Sequence, residues 1–241
     1  MIENTLIKLG QEYFETNEHR IPKEEYEIKL KDLVNYPHCF VLAFCMDRQI
    51  KADKAWIIPY EIEKELGSIE MEDLVKVPLS TYKEIFNRKK LHRFNDSMAE
   101  IFYSAVQKIH NEYNDNASLI WSDNPSSAEA VYRFLQFKGV GIKIATMAVN
   151  ILAREYHISF SDYAAIDASP DTHVITVMYR LGLIKEKSRD MAIYKAKAIY
   201  PEYPGIIDSP LFNIGIKYCF ARNPNCKECI MNDECKKVGI E

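Results

Sequence analysis

The chain has 241 residues, 47% of them apolar and 27% charged, with a formal net charge of −4; this supports a sizeable buried core and excludes general disorder. No apolar run reaches the length of a membrane span, and an N-terminus carrying Glu3, Glu12, Glu15 and Glu18 is the wrong chemistry for a targeting peptide, so the cytoplasm is the expected compartment. The acidic balance argues against a non-specific nucleic-acid binder, which needs clustered Lys and Arg, so any DNA contact must be local.

Eight glycines in 241 residues, against a usual share of roughly 7%, are too few for an all-β chain, and the helical period dominates. An amphipathic helix is predicted from Thr5 to about Arg20, with Leu6, Leu9, Tyr13 and Phe14 on one side, and a second after Pro22 carrying Tyr26, Leu30, Leu33 and Val34. The run Phe40–Met46 is nearly all apolar; no partner strand appears anywhere, so it reads as a core helix, with Cys39 and Cys45 as core residues. Further helices are predicted near Ala52–Leu66, Thr81–Asn87 and Asp96–Tyr113. Ser126-Ser127-Ala128-Glu129 forms a capping box that opens a helix to about Phe137. Another helix runs from Ile142 to about Tyr156, and Asp171 opens one to Leu181 that Gly182 ends as a C-cap. Two more reach Cys219, and the expected class is all-α.

Lys138-Gly139-Val140-Gly141 joins two helices in a tight hairpin. Two glycines permit backbone angles barred to other residues and allow another molecule to approach closely. The first amides of the following helix have no intrahelical partner, so its start is an anion site that takes a phosphodiester without a basic side chain. A plain glycine-capped turn is the alternative reading. Lys143 lies in the first turn of that helix, at the edge of the apolar stripe Ile144, Met147, Ala148, Ile151 and Leu152. A cation there opposes the helix dipole, which favours the neutral, nucleophilic amine; a solvated surface lysine is the competing account.

Four of the six cysteines crowd the C-terminus, where Cys219, Cys226, Cys229 and Cys235 form C-x6-C-x2-C-x5-C. Clustered thiols in a cytosolic chain suggest a metal centre rather than disulfides, and four thiolates suit a tetrahedral zinc or a [4Fe–4S] cluster.

The segment Phe137–Ala145 resembles the helix-hairpin-helix signature of the endonuclease III superfamily of DNA glycosylases, the HhH-GPD proteins. Asp171-Thr172-His173-Val174, with Arg180-Leu181-Gly182 beyond it, is similar to that family's catalytic-aspartate segment, and the cysteine spacing is similar to its [4Fe–4S] loop. The resemblance spans residues 36 to 236, with the motifs in the family's order. It implies a two-lobed helical protein: a six-helix bundle at 36–150 containing the hairpin, and a second lobe of 1–35 and 151–241 around the cluster. It implies a monomer on double-stranded, nucleoid DNA that carries damaged bases or abasic sites, with the damaged nucleotide flipped into a cleft. Lys143 would be the nucleophile of a glycosylase with AP-lyase activity, forming a Schiff base. Asp171 would cap its helix and face the sugar.

The hairpin residues Gly139, Val140 and Gly141 would hold phosphate. Gln49 would fill the gap left by the flipped base, and Arg222 and Lys227 of the cysteine loop are candidate phosphate contacts. The run Arg88–Phe94 is the densest basic patch and sits where the family places a wedge loop, with Phe94 or Arg93 available to intercalate. The chain departs from the family in one place: Lys143 and Asp171 stand 28 residues apart (171 − 143), more than the family usually has. The extra segment lies within Tyr156–Pro170 and leaves Asp167 as a second candidate acid. A monofunctional glycosylase, a non-enzymatic iron–sulfur DNA-binding protein and an electron carrier are the other functional readings.

Overall fold

The computed structural model describes residues 1–16 and 27–240. The predicted end of the first helix at Arg20, together with Glu18, Pro22 and Tyr26, lies outside the described residues. Among the described residues, thirteen α-helices run in order: α1 Ile2–Thr16, α2 Glu27–Lys31, α3 Pro37–Met46, α4 Ala52–Trp56, α5 Ile58–Leu66, α6 Met71–Leu74, α7 Leu79–Lys89, α8 Asn95–Tyr113, α9 Ser127–Leu135, α10 Ile142–Glu155, α11 Thr172–Leu181, α12 Arg189–Ile199 and α13 Asp208–Lys217. Short 3-10 helices occupy Ala117–Ile120 and Pro204–Ile207. No strand occurs among the described residues, and no helix there is long and apolar enough to cross a membrane.

The helices divide between two compact units. The central unit comprises residues 27–123 and 132–144 of the described chain; the terminal unit comprises 1–16, 124–131 and 145–240.

α3 is the axis of the central unit. Pro37 starts it with a preset backbone angle, and all ten of its side chains are buried, as a helix apolar on every side must be. Around it pack α2, α4, α5, α8 and the 3-10 helix at 117–120, and α7 lies along α8. Phe40 packs tilted against Phe44 at 4.4 Å and meets Trp121 edge-on at 5.8 Å; Phe134 and Phe137 extend the aromatic row, and Tyr113 stacks on Phe137 at 6.2 Å. These rings lead from the axis to the hairpin turn and anchor it.

The expected helix 52–66 breaks at Ile57, because Pro59 in the first turn of α5 has no N–H to continue the ladder and its ring clashes with the preceding turn. α2 is a short helix that stops at Lys31; Leu33 and Val34 lie in a turn, with Val34 88% exposed. In the basic run, Arg88 and Lys89 both pair with Glu65 in the last turn of α7, so two of its cations are already partnered.

In the terminal unit α11 packs on α13 and α12, and α1 packs on α13 and the 3-10 helix at 204–207. The 156–170 segment is pinned within this unit. Ser127 Oγ donates to Asp162 Oδ1 at 2.5 Å and accepts from the Ala165 amide, while Ser161 donates to the Pro125 carbonyl and Gly205 to that of Ile166.

Candidate active site

The hairpin is built as its residues require. Ser126 Oγ accepts the Glu129 amide at 3.1 Å, which caps the start of α9. Gly139 has φ +82°, and a Cβ there would stand 2.7 Å from Ile101 Cδ1, so only glycine fits. Gly141 differs from the expectation for it: its φ is not positive, and a Cβ would meet nothing within 4 Å. Its smallness therefore serves open space rather than a special backbone angle. Val140 is buried, and α10 begins at Ile142 with the Ile144 amide donating to the Gly141 carbonyl. The stripe Ile144, Met147, Ala148, Ile151 and Leu152 is buried throughout.

Lys143 is in the first turn of α10, its side chain 35% exposed, and its Nζ donates to Asp47 Oδ2 at 3.1 Å. The amine therefore has a carboxylate partner from another helix. Asp47 is the C-cap of α3 and its side chain is only 5% exposed. Sequence reading passed over it. An acid ending an apolar helix runs against the dipole, and that was the available signal.

Arg48 and Gln49 follow on a bend. The Arg48 guanidinium reaches the hairpin, where Nη1 would lie 3.7 Å from a Gly139 Cβ. Gln49 is exposed in a left-handed conformation, φ 57°. Buried His92 lies against the Met46 and Arg48 backbone; burial holds its pKa below the ordinary value, and its Nδ1 accepts the Phe94 amide at 3.1 Å. Arg93 lies over the Phe94 ring, itself 40% exposed. The central unit thus gathers Gly139, Lys143, Asp47, Arg48 and Gln49 around one turn.

Asp171 belongs to the terminal unit. It caps α11, its Oδ1 accepting the Val174 amide at 2.8 Å, and Gly182 closes the helix at φ 77°. Asp167 is buried, with Lys197 Nζ 3.2 Å from Oδ1; burial raises its pKa and Lys197 opposes the rise.

Cys219, Cys226, Cys229 and Cys235 line one pocket with Val177, Leu181, Ile214 and Met231. Burial pushes the Cys229 and Cys235 thiols up, and amides of Met231 and Lys237 directed at the sulfurs oppose this. Among the described residues, no three His, Cys, Asp or Glu side chains are gathered as for a single bound ion. Arg180, which sequence reading assigned no role, is the strut of the loop: its guanidinium donates to the carbonyls of Cys219, Phe220 and Ala221 at 3.1, 2.7 and 3.1 Å. Arg222 and Lys227 are exposed on this loop.

No protein-family model matches the chain, and no curated protein sequence does. Solved structures do. A non-covalent endonuclease III–DNA complex matches with a TM-score of 0.65 and 15% identity, over 97% of this chain and 94% of that one. A trapped covalent endonuclease III–DNA intermediate gives 0.64 and 16%, again over 97% and 94%. A thermostable thymine-DNA glycosylase gives 0.64 and 14%, over 98% and 95%. With its helix-hairpin-helix turn at residues 138–141, the chain has the fold of endonuclease III.

Proposed function

We propose that the chain is a base-excision DNA glycosylase with AP-lyase activity, acting as a monomer on damaged, above all oxidised, bases and abasic sites in double-stranded DNA of the nucleoid. The observation that carries this is the part-exposed Lys143 amine directly behind the Gly139–Gly141 turn, on this fold.

The start of α10 faces a phosphate, with the open Gly141 allowing close approach, and exposed Gln49 occupies the gap left in the stack. The Lys143 amine attacks C1′; the C1′–N bond breaks and its electron pair leaves with the base, which takes a proton. The C1′–O4′ bond then breaks with its electron pair going to O4′, which takes a proton from Nζ, and the opened sugar is a Schiff base. The Schiff base acidifies C2′–H, and loss of that proton expels the 3′ phosphate by β-elimination. Asp171 Oδ1 is held by the cap, and Oδ2 stabilises positive charge developing at C1′. Arg222 and Lys227 neutralise backbone phosphates.

The four cysteines fit a [4Fe–4S] cluster by donor chemistry: four sulfurs line one pocket with apolar walls, and backbone amides point at two of them. When bound, such a cluster supplies the cross-links that order a loop with little core of its own.

Borohydride trapping on abasic and lesion-bearing duplexes tests the reading. Wild type should form a covalent adduct. Lys143→Gln should lose it, with nicking slowed on the order of a thousandfold or more. Asp171→Asn should slow turnover by roughly a hundredfold while keeping its melting temperature, since Asn also caps helices. A Lys143→Gln protein that cross-links as wild type does overturns the assignment.

A further inference from the structure

We propose that Asp47 is the proton carrier that converts Lys143 from an ammonium into a nucleophile. The inference rests on the role given to Lys143 above and deepens it.

The pairing is tertiary: 96 residues separate the two, and Nζ lies 3.1 Å from Oδ2. The acid is the deeper partner, 5% exposed against 35% for the lysine, so the carboxylate lies beneath an amine that can reach outward. Its placement is rigid. Asp47 ends a fully buried helix, its amide donates to the Phe44 carbonyl at 3.1 Å, and the next residue turns back with Arg48 donating to Met46 at 2.7 Å. The location is poor for stability taken alone, because a carboxylate at a helix C-terminus meets the negative end of the dipole. A lysine serving only solubility needs no buried acid beneath it.

The chemistry follows from the pair. At rest it is a carboxylate and an ammonium, and attack requires a lone pair on Nζ. As DNA covers the site and excludes water, two neutral groups become easier to hold than two charges. An Nζ–H bond breaks and an Oδ2–H bond forms, leaving a neutral acid and a neutral amine. At an open-chain abasic site Nζ then bonds to C1′, and the carbonyl electron pair moves to oxygen, which takes the proton from Oδ2. Asp47 accepts a second proton from Nζ and delivers it to the same oxygen, which leaves as water with its bonding pair. The iminium forms, and Asp47 is again a carboxylate.

Charged or titratable groups near the turn include Arg48 against Gly139, Arg93 on Phe94, Lys108 over Phe137 and paired with Glu112, Lys138 paired with Glu100, and buried His92.

The test is single-turnover nicking of a duplex with one abasic site, from about pH 6 to about pH 10, with DNA affinity and thermal melting measured alongside. Asp47→Asn should nick ten- to about a hundredfold more slowly near neutrality. The deficit should close as hydroxide takes over removal of the lysine proton, with DNA affinity unchanged. Asp47→Ala should regain rate in proportion to added formate, and this arm decides if the Asn variant does not melt cooperatively. Asn at the wild-type rate at every pH overturns the proposal, as does an equal deficit at every pH without formate rescue, the mark of a packing role. A wild type that neither nicks nor traps, or a Lys143→Gln that nicks as well as wild type, overturns the function proposed above and this inference with it. A Lys143→Gln that is inactive beside a fully active Asp47→Asn overturns this inference alone.

Discussion

His38 is a buried side chain whose protonation opposes folding. It is 3% exposed, and its Nε2 lies 2.9 Å from the Ile69 carbonyl, so that nitrogen carries the proton of a neutral imidazole. Burial holds its folded pKa below the ordinary value, and the hydrogen bond opposes the shift. As pH falls below about 6.5 the unfolded chain takes up the proton first, the unfolded state then binds more protons than the folded one, and stability falls. The contribution is intact above that pH and lost below it. The urea midpoint should therefore drop between about pH 7.5 and about pH 5.5. His38→Gln, which keeps a donor for Ile69, should flatten part of the slope; buried His92, shifted in the same direction, accounts for a remainder. An unchanged slope in His38→Gln would remove His38 from the explanation.

At the scale of elements, the hairpin separates two uses of glycine that look identical in sequence. Gly139→Ala forces a side chain into φ +82° and against Ile101, so it should cost about 1–3 kcal/mol and lower the melting temperature. Gly141→Ala meets open space and should melt as wild type. Under the proposed function it should still weaken DNA binding several-fold, because the added methyl group occupies the approach of the phosphate. Equal loss of stability in the two variants would contradict the geometry. Helix type and centre were legible from periodicity, as the buried stripe of α10 and the capped α11 show. The break at Ile57 was written in Pro59 and overlooked, whereas the Glu65 pairs of Arg88 and Lys89 depend on α5 meeting α7 and leave no mark in the basic run itself.

At the scale of the whole molecule, the cysteine loop depends on a contact with a distant helix. Arg180 braces it: 6% exposed, it satisfies three loop carbonyls. Arg180→Ala leaves them without that donor and should cost on the order of 3 kcal/mol, lowering the melting temperature. If the cysteines hold a [4Fe–4S] cluster, anaerobically purified wild type should contain iron and acid-labile sulfide. Cys226→Ser should lose iron, and Arg180→Ala should release it faster to a chelator. Zinc in place of iron and sulfide would exclude the cluster.

The helical class, the hairpin, the cap at Asp171 and the cysteine quartet were all present in the sequence by itself, because periodicity, capping and ligand spacing are relations between residues near one another in the chain. Only the tertiary structure decided that Lys143 rests on a buried Asp47, that Arg180 braces the cysteine loop, and that Gly139 and Gly141 differ. Each depends on a neighbour brought in by folding: Asp47 across 96 residues, the Cys219 carbonyl across 39, and Ile101 from α8. Contacts between distant segments are made by packing, which leaves no local pattern to read.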